Sequence, residues 1–420
     1  MNALALAAST IILLVLRQNI LLILMAVGLA VHFIWGSANA SFFVQDMWAA
    51  IDKDAILALP LFIMVGEMMS RGSVAKRLIN VMEQITRPLP GGLGIATVGS
   101  CAVFSAISGS SIVTLMAVGS VMYPALIARN YSRSFTIGAL ASAGTLGMLI
   151  PPSVPMILYG VVTETSIVDL FLAGIGPGIL IVVVFSIYSM AIHWRLPRES
   201  WVFSDLINSL KDGIWSLMLP VLLLGGIYSG YFYPTEAAAF ALLYCILIEA
   251  FIHRELSLDV VREVLFSSAR LVGMLFPLIA VAISLNLLAT ENRIQQQLID
   301  FAIGFIDTPL AFMLIVNLLL LLVGCLIDPA SAILVLGPLL SPLAQTYGFD
   351  KVQFGIVMIL NLEIGFLTPP LGMNLIVAVA AFKEPFLVVT RAVIPFIIMM
   401  LGCLLLVILF PEIAMWLVGR

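Results

Sequence analysis

Two long apolar stretches, 134–165 and 352–382, are each interrupted near the middle by a Pro-Pro pair, Pro151-Pro152 and Pro369-Pro370. Proline has no amide N–H and clashes with the preceding turn, so a helix cannot run unbroken through either pair. In hydrocarbon, freed backbone carbonyls are tolerated only where they line a cavity or coordinate something. A chain built on such stretches is confined to folds that hold a polar pocket at membrane depth.

Composition fixes the medium. The chain is 62% hydrophobic and 10% charged, with a mean hydropathy of +1.18. Soluble domains carry about 25% charged residues, so there is too little polar surface here to cover a soluble globule. Water-soluble enzymes, nucleic-acid binders and disordered scaffolds are excluded. The class that remains is an all-α polytopic membrane protein, and its net charge of −4 matters less than where the charges lie. Cys101, Cys245, Cys325 and Cys403 sit far apart in apolar runs and read as small buried residues. His32, His193 and His253 lie near run ends without an acidic or histidine cluster around them.

A crossing needs about 20 apolar residues. Ten runs read as spans: 3–16, 20–36, 55–70, 134–165, 168–192, 213–232, 235–252, 268–290, 352–382 and 386–410. The first begins at Met1 with no basic leader or small-residue cleavage site and reads as a span, not a signal peptide. Two further stretches, about 91–127 and 309–346, carry Gly, Pro or Ser at their centres and read as re-entrant hairpins. With the N-terminus outside and both hairpins returning to their own side, 15 of the 19 basic residues face inward. Only Lys53, Arg293, Lys351 and Arg420 face out, as the positive-inside rule expects. The tryptophans fall mostly near span ends.

The chain also resembles itself at an offset of 218 residues. Gly119–Pro124 aligns with Gly337–Pro342, Gly147–Pro152 with Gly365–Pro370, and Arg133 with Lys351. Further out, Leu59-Pro60-Leu61 resembles Phe276-Pro277-Leu278. The halves, 1–200 and 201–420, then hold five spans each, one of them the broken helix, and one hairpin. An odd number of spans inverts the second copy, which is a signature of secondary transporters.

The hairpin tips carry polar atoms where lipid contact would disfavour them. The first is Ser105-Ala106-Ile107-Ser108-Gly109-Ser110-Ser111, the second Asp328-Pro329-Ala330-Ser331. Hydroxyl and carbonyl oxygens at a broken helix suit a hard cation such as Na⁺, and the half-helix N-terminus beyond the break favours an anion. Small residues also serve helix packing, which is the alternative role for the serines. Asp328 and Glu363 are the two acids read as lying deep in the membrane, and intramembrane acids point to function. Glu363 reads equally as a buried hydrogen-bond partner of the broken helix. Arg293 is read as a carboxylate receiver or an ordinary interface residue. Glu236 reads as a charge at a helix N-terminus. A hydrolase using Ser108 or Ser110 is disfavoured, because no histidine lies at their depth. A channel fits paired broken repeats less well than alternating access does.

At these residues the chain resembles the large membrane subunit of tripartite ATP-independent periplasmic (TRAP) transporters. The matching stretches are Leu59–Glu67, Phe104–Ser111, Ile150–Met156, Tyr233–Ala238 and Asn361–Asn374. The resemblance implies Na⁺-driven, elevator-type uptake of an organic acid, such as a C4-dicarboxylate or sialic acid, across the bacterial inner membrane. It implies two partners, a small four-span membrane subunit, here a separate polypeptide, and a soluble periplasmic binding protein. It implies one Na⁺ between Ser105, Ser108, Ser110 and Ser111 of the first tip and Gly147, Ile150 and Pro151 of the first break. A second Na⁺ belongs between Asp328, Ser331, Gly365, Thr368 and Pro369. Substrate would lie between the tips, near Ser108, Gly109, Ser110, Asn374 and Arg293. The amphipathic stretches 72–87 and 291–306 resemble the arms that hinge a moving part to its scaffold. A stand-alone Na⁺/anion symporter of related fold, needing no binding protein, is the alternative. No organic cofactor, enzymatic activity or nucleic acid is implied.

Overall fold

The computed structural model describes residues 20–35, 40–71, 74–197 and 200–419, and these are helical with no strand among them. The expected span 3–16, with Arg17, Arg198 and Arg420, lies outside the described residues. Nine described helices are long and apolar enough to cross a bilayer. Three of these, Ser111–Ala128, Pro309–Leu326 and Pro329–Thr346, belong to the two stretches expected to be re-entrant.

Each stretch read as re-entrant holds two helices joined by a two-residue turn. The first comprises Gly92–Ser108 and Ser111–Ala128, the second Pro309–Leu326 and Pro329–Thr346. The first turns on Gly109, whose φ of 59° is open to glycine at little steric cost. The second turns through Ile327 and Asp328, and Pro329 occupies the first helical position, where its missing N–H costs nothing. Both broken stretches do break. The first divides into Arg133–Gly144, the single turn Leu146–Leu149 and Val154–Thr163; the second into Lys351–Phe366 and Met373–Phe382. Both Pro-Pro peptide bonds are cis. The first helix yields at Thr145, well before Pro151, and around that point Gly144 and Gly147 pack directly on Leu115 and Ser110 of the first helix pair.

Polar caps set the helix starts. Ser132 accepts from the Phe135 amide at 3.2 Å, Ser153 from Met156 at 3.4 Å, and Asp350 from Val352 at 2.7 Å. Two helices begin earlier than their apolar runs: Phe203–Tyr228 against an expected 213, and Leu258–Glu291 against 268. Their first turns are amphipathic, with Asp205, Lys211, Arg262 and Glu263 among the polar residues, so an apolar-run criterion starts late. The expected span 235–252 is Pro234–Leu247 followed by a π-turn, Ile248–Ile252. The helix Ala40–Ile51 falls in a gap between the expected spans.

The broken helices form the protein interior. In Arg133–Thr163, 83% of the apolar window is buried by protein, against 28% in Phe203–Tyr228. The two halves exchange contacts reciprocally. Gly119 on the first hairpin packs under the ring of Phe382 on the second broken helix. Gly337, at the 218 offset, packs against Val162, Thr163 and Tyr159 on the first broken helix. Tyr159 also donates to the Ser341 hydroxyl at 3.1 Å and the Lys351 carbonyl at 2.9 Å. All four cysteines are free and buried.

Candidate functional site

The first tip is wedged between its own break and a neighbouring helix. A methyl group on Gly147 would come within 2.5 Å of the Ser110 carbonyl oxygen, and one on Gly66, in Asp54–Arg71, within 2.7 Å of the Ser108 carbonyl oxygen. The Val154 amide donates across the gap to the Gly109 carbonyl at 3.5 Å. Ser108 Oγ pairs with Thr114 Oγ1 at 2.8 Å. Ser105 and Ser111 are fully buried, and neither hydroxyl oxygen has a hydrogen-bond partner. Buried hydroxyls are seldom left unpaired. These two oxygens keep their acceptor capacity at the first tip, to which Ser108 and Ser110 also belong, and Gly147, Ile150 and Pro151 form the neighbouring break.

The second tip repeats the arrangement. Gly365, matching Gly147, leaves no room for a methyl group against Gly324, whose Cα would lie at 2.7 Å. The Gly372 amide, matching Val154, donates to the Cys325 carbonyl at 3.3 Å. Asp328 caps the return arm: Oδ2 accepts from the Ser331 amide at 2.9 Å and Oδ1 from the Ser331 hydroxyl at 2.6 Å. Thr368 Oγ1 donates to the Ile364 carbonyl at 2.7 Å. Ser331 and Gly365 are buried, Asp328 and Thr368 are half-buried, and Pro369 is exposed, whereas Pro151 in the first break is buried.

The tips meet at one cavity of about 180 Å³. Ser108, Gly109 and Ser110 line it from the first tip, and Asp328, Pro329 and Ala330 from the second. Met148 and Val154 reach it from the first broken helix, Phe366 and Met373 from the second. Its remaining wall comes from Asp54–Arg71 and Leu258–Glu291, the helices that carry the repeated Pro60 and Pro277. Two residues expected near substrate are not among its lining. Asn374 is buried beside it, with Nδ2 donating to the Ala141 carbonyl at 3.0 Å. Arg293 is exposed at the start of Ile294–Ile303, where its φ is 54°.

Glu363 is fully buried, and neither carboxylate oxygen has a hydrogen-bond partner, so it is not the hydrogen-bond partner that the sequence also allowed. Glu236 is what its position implied: its carboxylate accepts from the Tyr233 amide at 2.9 Å. Glu363 is not the only acid withdrawn from solvent besides Asp328. Glu249 is 2% exposed, and Glu67, whose side chain is 12% exposed, lines the cavity. Both sit close to the ends of apolar runs, where position in the run gives no sign of burial. The stretches expected as arms are the helices Val74–Thr86 and Ile294–Ile303. The first packs between the first hairpin and Phe203–Tyr228; the second packs on the return arm of the second hairpin and is tied to it by Gln295 donating to the Pro338 carbonyl at 3.3 Å.

Comparison with known proteins matches this architecture to a family. The model of the tripartite ATP-independent periplasmic transporter DctM component matches residues 7–413. The ectoine/5-hydroxyectoine TRAP transporter large permease of Ruegeria pomeroyi is 37% identical over 386 residues, covering 90% of each chain. The C4-dicarboxylate TRAP transporter large permease of Pseudomonas aeruginosa is 38% identical over 363 residues, 86% of this chain and 85% of that one. The isethionate TRAP transporter permease of Oleidesulfovibrio alaskensis is 36% identical over 391 residues, and the chain spans 61% of that protein's length. Among solved structures, Neisseria gonorrhoeae MtrF superposes with a TM-score of 0.65 and the Alcanivorax borkumensis YdaH transporter with 0.62, each at 13% identity over 90% of this chain, covering 83% and 90% of those chains. At that identity they establish the fold alone. The chain is a multi-pass membrane protein and belongs to the DctM family, the large permeases of tripartite ATP-independent periplasmic transporters.

Proposed function

We propose that this permease carries a small organic acid inward by Na⁺-coupled alternating access of the elevator type. One observation carries the reading: a single cavity gathers both hairpin tips, both broken helices and two flanking helices. A carrier of this type needs its site at the seam between a moving body and a scaffold, and this cavity has that composition. The hairpins and broken helices are the moving body. Val74–Thr86 and Ile294–Ile303 are its hinges. The halves are inverted across the membrane, with the N-terminus outside.

One Na⁺ binds at Ser105, Ser108, Ser110, Ser111, Gly147, Ile150 and Pro151, and another at Asp328, Ser331, Gly365, Thr368 and Pro369. The unpaired hydroxyls of Ser105 and Ser111 support the first site. At the second, the Asp328 carboxylate supplies the negative charge that a cation in a low-dielectric setting needs. Each net positive charge carried inward at 100 mV supplies about 2.3 kcal/mol, roughly a fifty-fold accumulation. Relatives bear names for C4-dicarboxylate, sialic acid and ectoine carriers, so the substrate is a small solute bearing an acid group. A small four-span membrane subunit and a periplasmic binding protein complete the system.

The test is uptake into proteoliposomes holding the permease and its small subunit, with the binding protein added outside. Uptake requires an inward Na⁺ gradient and the binding protein. Equal uptake without Na⁺ under a proton gradient contradicts the coupling, and full uptake without the binding protein favours a stand-alone symporter.

A further inference from the structure

The charged residues that line the tip cavity are both acids. Glu67 and Asp328 face it, and no Lys, Arg or His among the described residues does. The rest of the lining is largely apolar, including Ile63, Leu271 and Leu275, so charges there are weakly screened.

The two acids differ in how they are occupied. Asp328 spends both carboxylate oxygens on Ser331 as a helix cap. Glu67 holds a single hydrogen bond, at 3.4 Å, to Nε of Arg71 one turn on. Arg71 is also paired with Glu263, so one guanidinium is shared between two carboxylates and does not neutralise both. Oε1 of Glu67 takes no hydrogen bond. The helix Asp54–Arg71 therefore presents a little-exposed carboxylate with spare acceptor capacity to the site.

A dianion placed here would set two like charges against each acid, and nothing in the lining answers them except Na⁺ at the tips. A solute with one carboxylate and one cationic centre meets complementary charge at both ends. We propose that Glu67 is a specificity-determining residue that receives a positively charged group of the substrate, and that the transported solute is a zwitterionic carboxylate and not a dicarboxylate. The acid end lies at Ser108, Gly109 and Ser110 beside the first Na⁺, and the cationic end at Glu67. This rests on reading the tip cavity as the substrate site.

The experiment uses the purified complex of permease and small subunit in Na⁺ buffer. Melting temperature is followed while ectoine, glycine betaine, 4-aminobutyrate, isethionate and succinate are each titrated in. At least one zwitterion should act at concentrations about tenfold or more below succinate. Glu67→Gln should narrow that gap, Glu67→Asp should retain part of it, and Arg71→Gln, which frees the carboxylate, should widen it. A wild-type preference for succinate or isethionate over every zwitterion overturns the proposal while leaving the cavity as the substrate site. So does a zwitterion preference that Glu67→Gln leaves unchanged. If no solute gives a Na⁺-dependent shift, the cavity reading falls and this inference falls with it.

Discussion

Gly147 lies so close to Ser110 that a methyl group on it would come within 2.5 Å of the Ser110 carbonyl oxygen. Gly365, its match 218 residues on, is equally tight against a different point, Gly324 near the end of Pro309–Leu326, whose Cα a methyl group would meet at 2.7 Å. In each half a glycine of the broken helix meets the main chain of the preceding helix pair. In the first half that contact sets the Ser110 carbonyl oxygen directly against the broken helix. Gly147→Ala should push tip and break apart, at about 1–3 kcal/mol as overpacking, and transport should fall at least tenfold while the protein still inserts. Uptake and melting temperature measured together check this; near-normal uptake removes the contact from the mechanism.

Ser105 and Ser111 offer a sharper separation of stability from function. Each hydroxyl is buried without a partner. Replacing such a group with a methyl is neutral or stabilising for the fold, since an unsatisfied polar atom is removed. Ser105→Ala and Ser111→Ala should keep or raise the melting temperature and yet increase the Na⁺ concentration needed for half-maximal uptake. An unchanged Na⁺ requirement in both removes these serines from the cation site.

Asp328 has two separable roles. Asn caps a helix about as well as Asp, whereas Ala costs about 1 kcal/mol there. Asp328→Asn should therefore preserve stability and weaken Na⁺-dependent uptake, while Asp328→Ala should lose both. If Asp328→Asn transports normally, the carboxylate is only a cap.

His193, at the end of Ile167–Ile192, makes stability depend on pH. Its ring lies against Tyr131 at 4.3 Å and Phe135 at 4.4 Å, and Nδ1 donates to the Ser189 carbonyl at 3.1 Å. Burial pushes its pKa below the usual 6.5, and the Ser189 carbonyl opposes this in part. The unfolded chain then binds the proton more readily than the folded one, so stability falls as pH drops through about 6.5. The melting temperature should decrease between pH 7.5 and pH 5.5, and His193→Gln should show a smaller decrease. An equal decrease in the variant assigns the pH dependence elsewhere.

The fold was legible because its strongest constraints are backbone ones. Pro151-Pro152, Pro369-Pro370 and the glycines at the shared offset mark breaks and tips directly in the sequence. Asp328 and the serines of the first tip were visible for the same reason, as polar groups where lipid contact would be costly. What stayed hidden depends on helix rotation. Glu67 sits in the last turn of an apolar run, and only packing shows that its side chain turns into the cavity rather than out to the interface. Asn374 and Arg293 failed to reach the cavity for that reason too: their chemistry suits a carboxylate, but Asn374 is taken by the Ala141 carbonyl and Arg293 sits at an exposed bend. The late starts assigned to Phe203–Tyr228 and Leu258–Glu291 show the same limit, since hydropathy marks where lipid begins and not where the helix does.

The central claim is that the tip cavity opens in turn to each side of the membrane. The direct measurement places a lone cysteine at Ser110 after replacing Cys101, Cys245, Cys325 and Cys403, and follows its modification by a membrane-impermeant thiol reagent added to either face of oriented vesicles. The position should be modified from both faces, and Na⁺ with substrate should shift the balance between them. Modification from one face only, under every combination of Na⁺ and substrate, contradicts alternating access at this site.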